Sequence, residues 1–299
     1  MDFQPLFKTS AKPNWEKSSG HNFIRAQFRI ETFMVVGALI QAVLSTILPF
    51  RYAFVPAGFI AIVKLADMYA IKIGMKKNPH MEGVVFSKYS AQFPDRYGSF
   101  GNQPARDGMC VFIIGTRNNT AEGILNKKFK EVGEFMGRMQ EQLKADPEKT
   151  GCLGSSAWLG TERASNSHTM LMMYFKSAAH VHEYAHSPLH REAWDWWYKH
   201  IDQLKEISIF HELYEVPSGN YENIYDHSPP MLASATTHKI YKKTERGEEV
   251  AWQSPAVDAR KGLLKTSRGR MARSQGLEND KYGLNDEDVY ESVTEKTLA

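Results

Sequence analysis

The fold is decided by a stretch in the middle of the chain, MCVFIIG at residues 109–115. It is a continuous apolar run of strand length, rich in β-branched and aromatic residues and bounded by polar ones, so it predicts a buried strand. Between residues 129 and 143, apolar residues recur at steps of three and four, with Lys, Glu and Arg between them. That period predicts an amphipathic helix, which ends near Asp146 and Pro147.

Two further strand-like runs follow, GCLGSSAWLG at 151–160 and HTMLMMYFKS at 168–177, and the polar turn between them predicts an antiparallel hairpin. A second helical segment begins after Ser177 and is broken at Pro188. The run EISIFHELYEV at 206–216 predicts the last strand. The order strand, helix, strand, strand, helix, strand predicts a ferredoxin-like α+β unit with both helices on one face of an antiparallel sheet.

The second face of such a sheet is expected to be bare in a single copy. Two copies usually cover it by pairing their sheets into a barrel, so we expect a homodimer, the dimeric α+β barrel. The space between helices and sheet then becomes the pocket for a small, lipophilic substrate.

Two uncharged runs precede this unit. The first, at 32–50, approaches the roughly 20 residues of a membrane span; the second, at 52–63, is shorter and contains Pro56 and Gly58. Basic residues flank the pair on both sides, which favours an apolar helical hairpin that enters the membrane and returns to the cytosol. Residues 32–63 are therefore expected to anchor the protein, with its catalytic domain facing the cytosol at the endoplasmic reticulum. A buried helical hairpin of a soluble protein is the alternative.

The chain is thus divided into an N-terminal segment at 1–30, the hairpin at 31–77, a linker at 78–108 that is rich in Gly, Pro and Ser, the α+β domain at 109–234 and a polar tail at 235–299. The tail has scattered apolar residues and no sustained period, which predicts disorder.

Composition excludes several classes of protein. The 299 residues include 42% hydrophobic ones, enough to bury a core, while the mean hydropathy of −0.45 excludes a polytopic membrane protein. The 37 basic and 34 acidic residues are too balanced for a dedicated nucleic-acid binder. The two cysteines, Cys110 and Cys152, have no spacing typical of a disulfide framework or a zinc site.

The candidate catalytic residues lie in the last predicted strand. Side chains alternate across a strand, so His211 shares a face with Ile209 and Leu213, while Glu212 and Tyr214 point to the other face. Histidine suits a general base because an imidazole titrates near neutral pH. We take His211, Glu212 and Tyr214 as the catalytic candidates; a core histidine that only packs is the alternative for the first.

Four more residues are candidates for contacting substrate. They offer a guanidinium for a carboxylate or enolate and rings for a flat molecule, and they are Arg117, Trp158, Tyr184 and Trp194. The alternatives are a solvated loop position for Arg117 and a packing role for Trp158. In the second helical segment, His182 and His186 are four residues apart, as in a metal pair. No further ligand stands at a signature interval, so we predict no metal site. No nucleotide, flavin or nicotinamide motif is present.

The blocks MCVFIIGTRNN, KADPEKTGCLGSSAWLG, HTMLMMYFKSAAHVHEYAHSPLHREAWDWW and ISIFHELYEVPSGNYENIYDHSPPMLAS resemble one family in their order and spacing. It is the monooxygenase-like family of fungal secondary-metabolite clusters, of the fumagillin-cluster type, which is related to the antibiotic-biosynthesis monooxygenases. The resemblance runs from about Met109 to Ser234.

The resemblance implies the dimeric α+β barrel and oxygenation of a polyketide or terpenoid intermediate without a cofactor. In that chemistry a base generates an electron-rich enolate or phenolate, which itself reduces dioxygen. Three alternatives stay open: a haem enzyme on the same scaffold with one axial histidine, a redox-neutral cyclase or isomerase, and a non-catalytic binding protein.

Overall fold

The computed structural model describes residues 2–15, 19–161, 168–245 and 247–273. The chain divides into two compact units, a smaller one at Gly20–Gly83 and a larger one made of Met1–Ser19 with Val84–Ala299.

The smaller unit is built from helices α1 (Gly20–Ala26), α2 (Ile30–Ile47), α3 (Phe50–Ala53) and α4 (Val55–Lys72). α2 ends before Pro49, whose ring cannot continue a helix. The side-chain amide of Gln41 donates a hydrogen bond to the carbonyl of Ala53 (3.1 Å) across this turn. By length and composition, α2 and the stretch Phe50–Lys72 can each cross a membrane, and neither is buried in the structure. Insertion of the predicted hairpin in a membrane stays a prediction.

α4 is longer than the uncharged run that predicted it. The run ends at Val63, whereas the helix continues past Lys64 and Asp67 to Lys72 because this stretch consists largely of good helix formers. Together with α3, this helix makes the stretch Phe50–Lys72 of 23 residues, which is longer than the uncharged run at 52–63.

The larger unit contains the strands and the remaining helices. In chain order they are β1 (Val85–Ala91), β2 (Met109–Asn118), α5 (Lys127–Ala145), α6 (Pro147–Thr150), β3 (Cys152–Leu159), β4 (His168–Phe175), α7 (Ala178–Ala185), α8 (Pro188–Lys199), β5 (Ile207–Val216), β6 (Tyr225–Ser228), β7 (His238–Thr244), β8 (Gly247–Gln253), β9 (Ala256–Asp258) and α9 (Ser267–Arg270).

The predicted four strands form one sheet in the order β3-β4-β2-β5, with every neighbouring pair antiparallel. The first and third strands of the predicted order, β2 and β4, are central and the other two are edges. With α5 following the first strand and α7 and α8 following the third, this is the ferredoxin-like arrangement. The prediction of a mixed α+β fold of this kind is confirmed.

One face of the sheet, here the helix face, packs against the helices. Cys110 and Phe175, opposite each other in β2 and β4, lie under Leu143 of α5 and Val181 of α7. Such burial of alternate residues from each strand fixes the register, because a slip by one residue would turn every one of them toward the other side.

The opposite side of the sheet, here the outer face, is partly covered by the chain itself. Tyr174 of β4 packs with Tyr89 of β1 and Tyr225 of β6. The rings of Tyr89 and Tyr225 are stacked, with their centroids 5.0 Å apart. β1 and β6 belong to a second sheet with the order β6-β1-β9. The expectation of a bare outer face therefore differs from the structure at this end of the sheet.

The second sheet and a two-stranded antiparallel sheet of β7 and β8 occupy parts of the predicted linker and of the predicted tail. β1 lies within 78–108, and β7 to β9 lie within 235–299, where His238 and Ile240 are buried. These strands are short and mostly polar, and β1 finds its partners, β6 and β9, more than a hundred residues away. A local reading of the sequence cannot detect such pairing. Residues 274–299 of the predicted tail lie outside the described residues.

Candidate active site

His211 lies on the helix face of the edge strand β5. It pairs with Ile114 of β2, which belongs to the core under the helices, and its ring centroid is 5.6 Å from that of Phe112. The side chain is nevertheless exposed, because it stands on the last strand of the sheet. An accessible imidazole beside apolar side chains can exchange a proton with a lipophilic molecule that docks there.

A second imidazole, His190, lies near the first. It stands in the first turn of α8, and its ring lies 6.4 Å from that of Tyr184 and 6.3 Å from that of Trp194. Burial lowers the pKa of His190, the carbonyl of Ala185 partly opposes this, and the positive charges that Arg191, His186 and His211 can carry lower it further. His190 is therefore held in its neutral form at neutral pH.

Tyr184 lines this site with its ring and does not act there as a proton donor. Its hydroxyl donates to the side-chain oxygen of Gln142 (3.0 Å) and lies 3.3 Å from the carbonyl oxygen of Met139, both in α5. Burial raises the pKa of Tyr184 to about 12, so its proton is retained. The ring, by contrast, contacts the sheet core and the imidazole of His190.

Trp194 is the exposed member of the three tryptophans in α8. About half of it (49%) is accessible, and its ring lies 5.5 Å from that of Tyr198, one turn further along. Trp196 and Trp197 instead pack toward α5. Trp194 therefore offers a free aromatic surface next to His190.

The other predicted residues lie on the outer face, away from His211. The pairing register puts Glu212 opposite Ile113, Tyr214 opposite Val111 and Trp158 opposite Met170. The Tyr214 hydroxyl donates to the Glu212 carboxylate, and this hydrogen bond raises the pKa of Tyr214.

Arg117 also faces outward, opposite His168 and Ser208. Its Nε donates to the side-chain oxygen of Asn119 (2.7 Å). The structure therefore brings His211, Tyr184 and Trp194 to the helix face and places Glu212, Tyr214, Arg117 and Trp158 on the other one.

The cysteines are not set up as nucleophiles. Cys110 and Cys152 are free and buried in the core under the helices, where burial raises the pKa of each thiol to about 11. The reactive thiolate is therefore suppressed at neutral pH.

Among the described residues, no group of three or more His, Cys, Asp or Glu side chains is arranged to hold a metal ion. A haem needs one axial imidazole and apolar walls on both faces. His211 supplies an imidazole, but Ile209 beside it on the strand is 45% exposed, so the described residues at this edge do not enclose a haem. No step below is assigned to one.

Comparisons with known proteins show what the central domain of the larger unit is similar to. Residues 109–233 match the Monooxygenase af470-like family. The predicted resemblance, from Met109 to Ser234, is confirmed. Monooxygenase af470 of Aspergillus fumigatus is 29% identical to this chain over 275 residues, which cover 91% of this chain and 98% of that protein.

That match reaches beyond the monooxygenase-like domain. Because 91% of 299 residues leaves only about 27 outside, it includes α2, α4 and the strands β7 to β9 whichever end is left out. The sequence similarity to the relative therefore extends over most of the smaller unit and over the strands that follow the matched domain.

Solved structures resemble the domain more distantly. Aldoxime dehydratase (OxdRE), crystallised with butyraldoxime, is 11% identical, with 42% of this chain and 36% of that chain covered and a TM-score of 0.35. SnoaB, a cofactor-independent oxygenase from Streptomyces nogalater, is also 11% identical, with 36% and 90% covered and a TM-score of 0.23. At these scores they add nothing to what the strand order establishes.

Sequence reasoning missed the approach of His190 to His211. The signal was present as a run of histidines at 180, 182, 186 and 190, but its spacing was examined only for a metal pair. The two imidazoles are brought near each other by the packing of the helices against the sheet, which no local pattern shows.

Proposed function

We propose that the protein is a monooxygenase that oxidises a lipophilic polyketide or terpenoid intermediate of secondary metabolism, with His211 as general base. The observation that carries the proposal is the placement of His211: an accessible imidazole on the helix face, beside Phe112 and near His190, within the domain that matches the monooxygenase family.

The chemistry needs a base and dioxygen and no external reductant. The base removes a proton from an activated CH₂ group of a phenol or enol, and the resulting carbanion or enolate passes electrons to dioxygen and forms a peroxide. Loss of water from the peroxide leaves a carbonyl, so CH₂ and O₂ give C=O and H₂O, and the four electrons come from the substrate. The imidazolium formed at His211 returns its proton to the departing oxygen.

A lipophilic substrate also gives the apolar helices a role. We propose that α2 and α4 hold the enzyme on a membrane, with the monooxygenase-like domain in the cytosol at the endoplasmic reticulum, where such intermediates partition. The support is the apolar length of Ile30–Ile47 and Phe50–Lys72, with neither stretch buried. We further propose a homodimer that covers the exposed part of the outer face.

The experiment uses the full chain purified in detergent. Its absorption spectrum is recorded, and it is then incubated with and without oxygen in an extract of a host that lacks the gene. We expect no Soret band, and a product with one added oxygen that forms only aerobically. A product that forms equally without oxygen would instead show a redox-neutral cyclase or isomerase.

His211→Ala tests the base. We expect the rate to fall about 10²- to 10⁴-fold, the usual effect of removing a general base. His182→Ala is the matched control, because His182 is an exposed imidazole in the neighbouring helix α7. Full turnover by a folded His211→Ala protein would contradict the assignment, and a Soret band lost in that variant would show a haem ligand instead.

A further inference from the structure

We infer that α2 and α4 both cross the lipid bilayer completely, so that the turn between them, residues 48–54, reaches the membrane face opposite the cytosol. The inference rests on the proposed anchoring of the protein by these two helices. It adds the number of crossings and the location of the turn. The apolar lengths alone do not distinguish a spanning pair from a single span or from a hairpin that enters only one leaflet.

The path of the chain on both sides of the helices makes the number of crossings even. The N-terminal segment belongs to the larger unit: Pro5 forms an antiparallel bridge with Val257 of β9, and the backbone NH groups of Ser10 and Trp252 each donate to the other residue's carbonyl (2.9 and 2.8 Å). After the helices, the chain enters the same unit again at Val84. A single span would therefore place one folded unit on both sides of the membrane.

The length of α2 favours complete crossing over a shallow hairpin. Its 18 residues rise about 27 Å, close to the roughly 30 Å of the hydrocarbon core. The uncharged run at 32–50 has Glu31 before it and Arg51 after it, so a complete crossing places one charge at each interface. In a hairpin that enters only one leaflet, the guanidinium of Arg51 would lie within hydrocarbon, where a charged group is costly.

The surface of α2 is apolar on all sides. Phe33, Met34, Val35 and Val36 are consecutive and all exposed, and consecutive residues of a helix point in directions about 100° apart. A helix that lies on a membrane surface instead has one strongly polar face. Apolar side chains in every direction suit a helix that lipid surrounds completely.

The turn has residues that suit a membrane interface. Tyr52 is half exposed, and the guanidinium carbon of Arg51 lies over its ring, 4.8 Å from the centroid. Tyrosine is enriched where a membrane meets water, and a long basic side chain reaches from a helix end to the lipid headgroups. Residues 48–54 therefore fit the interface better than the hydrocarbon.

The return through α4 accommodates two charges, Lys64 and Asp67. Asp67 is paired with Lys76, whose backbone NH donates to the carbonyl of Ala70 (3.1 Å), so the chain after α4 folds back along the helix. The stretch from Arg51 to Lys64 rises about 20 Å as a helix, and the long side chains of these two residues extend it toward the two interfaces. Asp67 and the residues after it then lie at the cytosolic headgroups.

A thiol probe tests the position of the turn. The native cysteines, Cys110 and Cys152, are buried and the pKa of each thiol is raised, so the wild type gives little background. The full chain carrying Arg51→Cys is expressed in a eukaryotic host, and sealed microsomes, whose cytosolic face points outward, are treated with a membrane-impermeant maleimide. We expect no labelling of Arg51→Cys in intact microsomes, and full labelling once alamethicin pores admit the probe without dissolving the bilayer.

Leu125→Cys is the matched control, because Leu125 is 78% exposed in the larger unit and should be labelled in intact microsomes. Labelling of Arg51→Cys in intact microsomes would place the turn on the cytosolic face and overturn the inference. Labelling only after detergent dissolves the bilayer would place the turn within hydrocarbon, and this result would overturn the inference as well. Tyr52→Cys keeps Arg51 in place and gives the same readout at a second position.

Failure of the anchoring and failure of the crossing are distinguishable. If an alkaline carbonate wash releases the wild type from the microsomes, the helices do not anchor the protein, and the proposed anchoring is wrong together with the crossing. If the wild type resists the wash but the thiol at position 51 is labelled in intact microsomes, the anchoring stands and the complete crossing is wrong.

Discussion

At the scale of single residues, the buried imidazole of His238, the first residue of β7, links the stability of the fold to pH. Its Nε2 lies 3.0 Å from the hydroxyl oxygen of Thr236, and its ring lies 4.6 Å from that of Phe93. Burial lowers the pKa of His238 to about 3, and the charge of Lys176 adds to the effect. The imidazole of His238 therefore stays neutral in the folded protein at a pH where it is protonated in the unfolded chain, in which its pKa is about 6.5.

The sign of the effect follows from this difference. The stabilising contribution is complete above about pH 6.5 and is lost as the pH falls toward 3, so the free energy of unfolding should drop there by up to about 1.4 kcal/mol per pH unit. We expect His238→Leu to flatten this dependence because it removes the titrating imidazole. Thr236 keeps a hydrogen-bond partner in the variant, since its hydroxyl donates to the carbonyl of Ala233. Urea unfolding at pH 7 and pH 5 measures it, and His182→Ala, an exposed imidazole, should unfold with the wild-type pH dependence. A slope that His238→Leu leaves unchanged would assign the acid sensitivity to other groups.

Also at this scale, alternation along β5 predicted correctly that His211 faces the helices and that Glu212 and Tyr214 face away. Two features of the site could not be predicted from this alternation. The exposure of His211 follows from the edge position of β5, and the nearness of His190 follows from the packing of the helices against the sheet. Both depend on tertiary packing, which a pattern of neighbours along one chain segment does not contain.

At the scale of elements, the strands of the central sheet were predictable because β2 is a continuous apolar run and the other three are strand-like runs bounded by turns, and the break between α7 and α8 was predictable from Pro188. β1 and β7 to β9 were not. In β7, buried His238 and Ile240 alternate with Lys239 and Tyr241, and the charged residues that follow hide this short period. β7 and β8 pair with each other, whereas β1 and β9 pair with each other across more than 150 residues. The N-terminal segment adds isolated bridges from Pro5 to Val257 and from Ser10 to Trp252.

α2 provides the prediction that belongs to this scale. If its apolar surface lies in a bilayer, the double substitution L39K/V43K places two charges there, at about 2.5–3.5 kcal/mol each near the centre of a spanning helix. Leu39 and Val43 are both more than half exposed, so the change disturbs little packing. We expect the variant to be released from liposomes in a flotation gradient.

The control also replaces an exposed leucine by lysine, but at a position outside the apolar helices. Leu125 in the larger unit is 78% exposed, so L125K adds a charge outside the apolar helices and should float with the wild type. If L39K/V43K floats as well as L125K, or if the wild type does not float, α2 is not the anchor.

At the scale of the whole molecule, the chain's own second sheet covers only part of the outer face of the central sheet. Its end near Val111 and Tyr174 packs against the chain's own second sheet, whereas Trp158, toward the other end, is 40% exposed. An apolar sheet surface in water needs cover, and a second copy that presents the same surface supplies it symmetrically. The contact between copies is then confined to the part of the face that the second sheet leaves open.

This confinement makes the homodimer testable with one substitution. We expect the full chain in detergent to have twice its own mass by light scattering after correction for the micelle, and Trp158→Glu to weaken the dimer at least about tenfold, because a carboxylate buried at the interface loses its hydration without gaining a partner. Trp194→Glu is the matched control. It places the same charge at a tryptophan of similar exposure, 49%, but on the helix side of the sheet, so it should remain dimeric. A wild type that is monomeric at micromolar concentration would show that the second sheet alone suffices to cover the outer face. Dissociation by both substitutions equally would place the interface elsewhere.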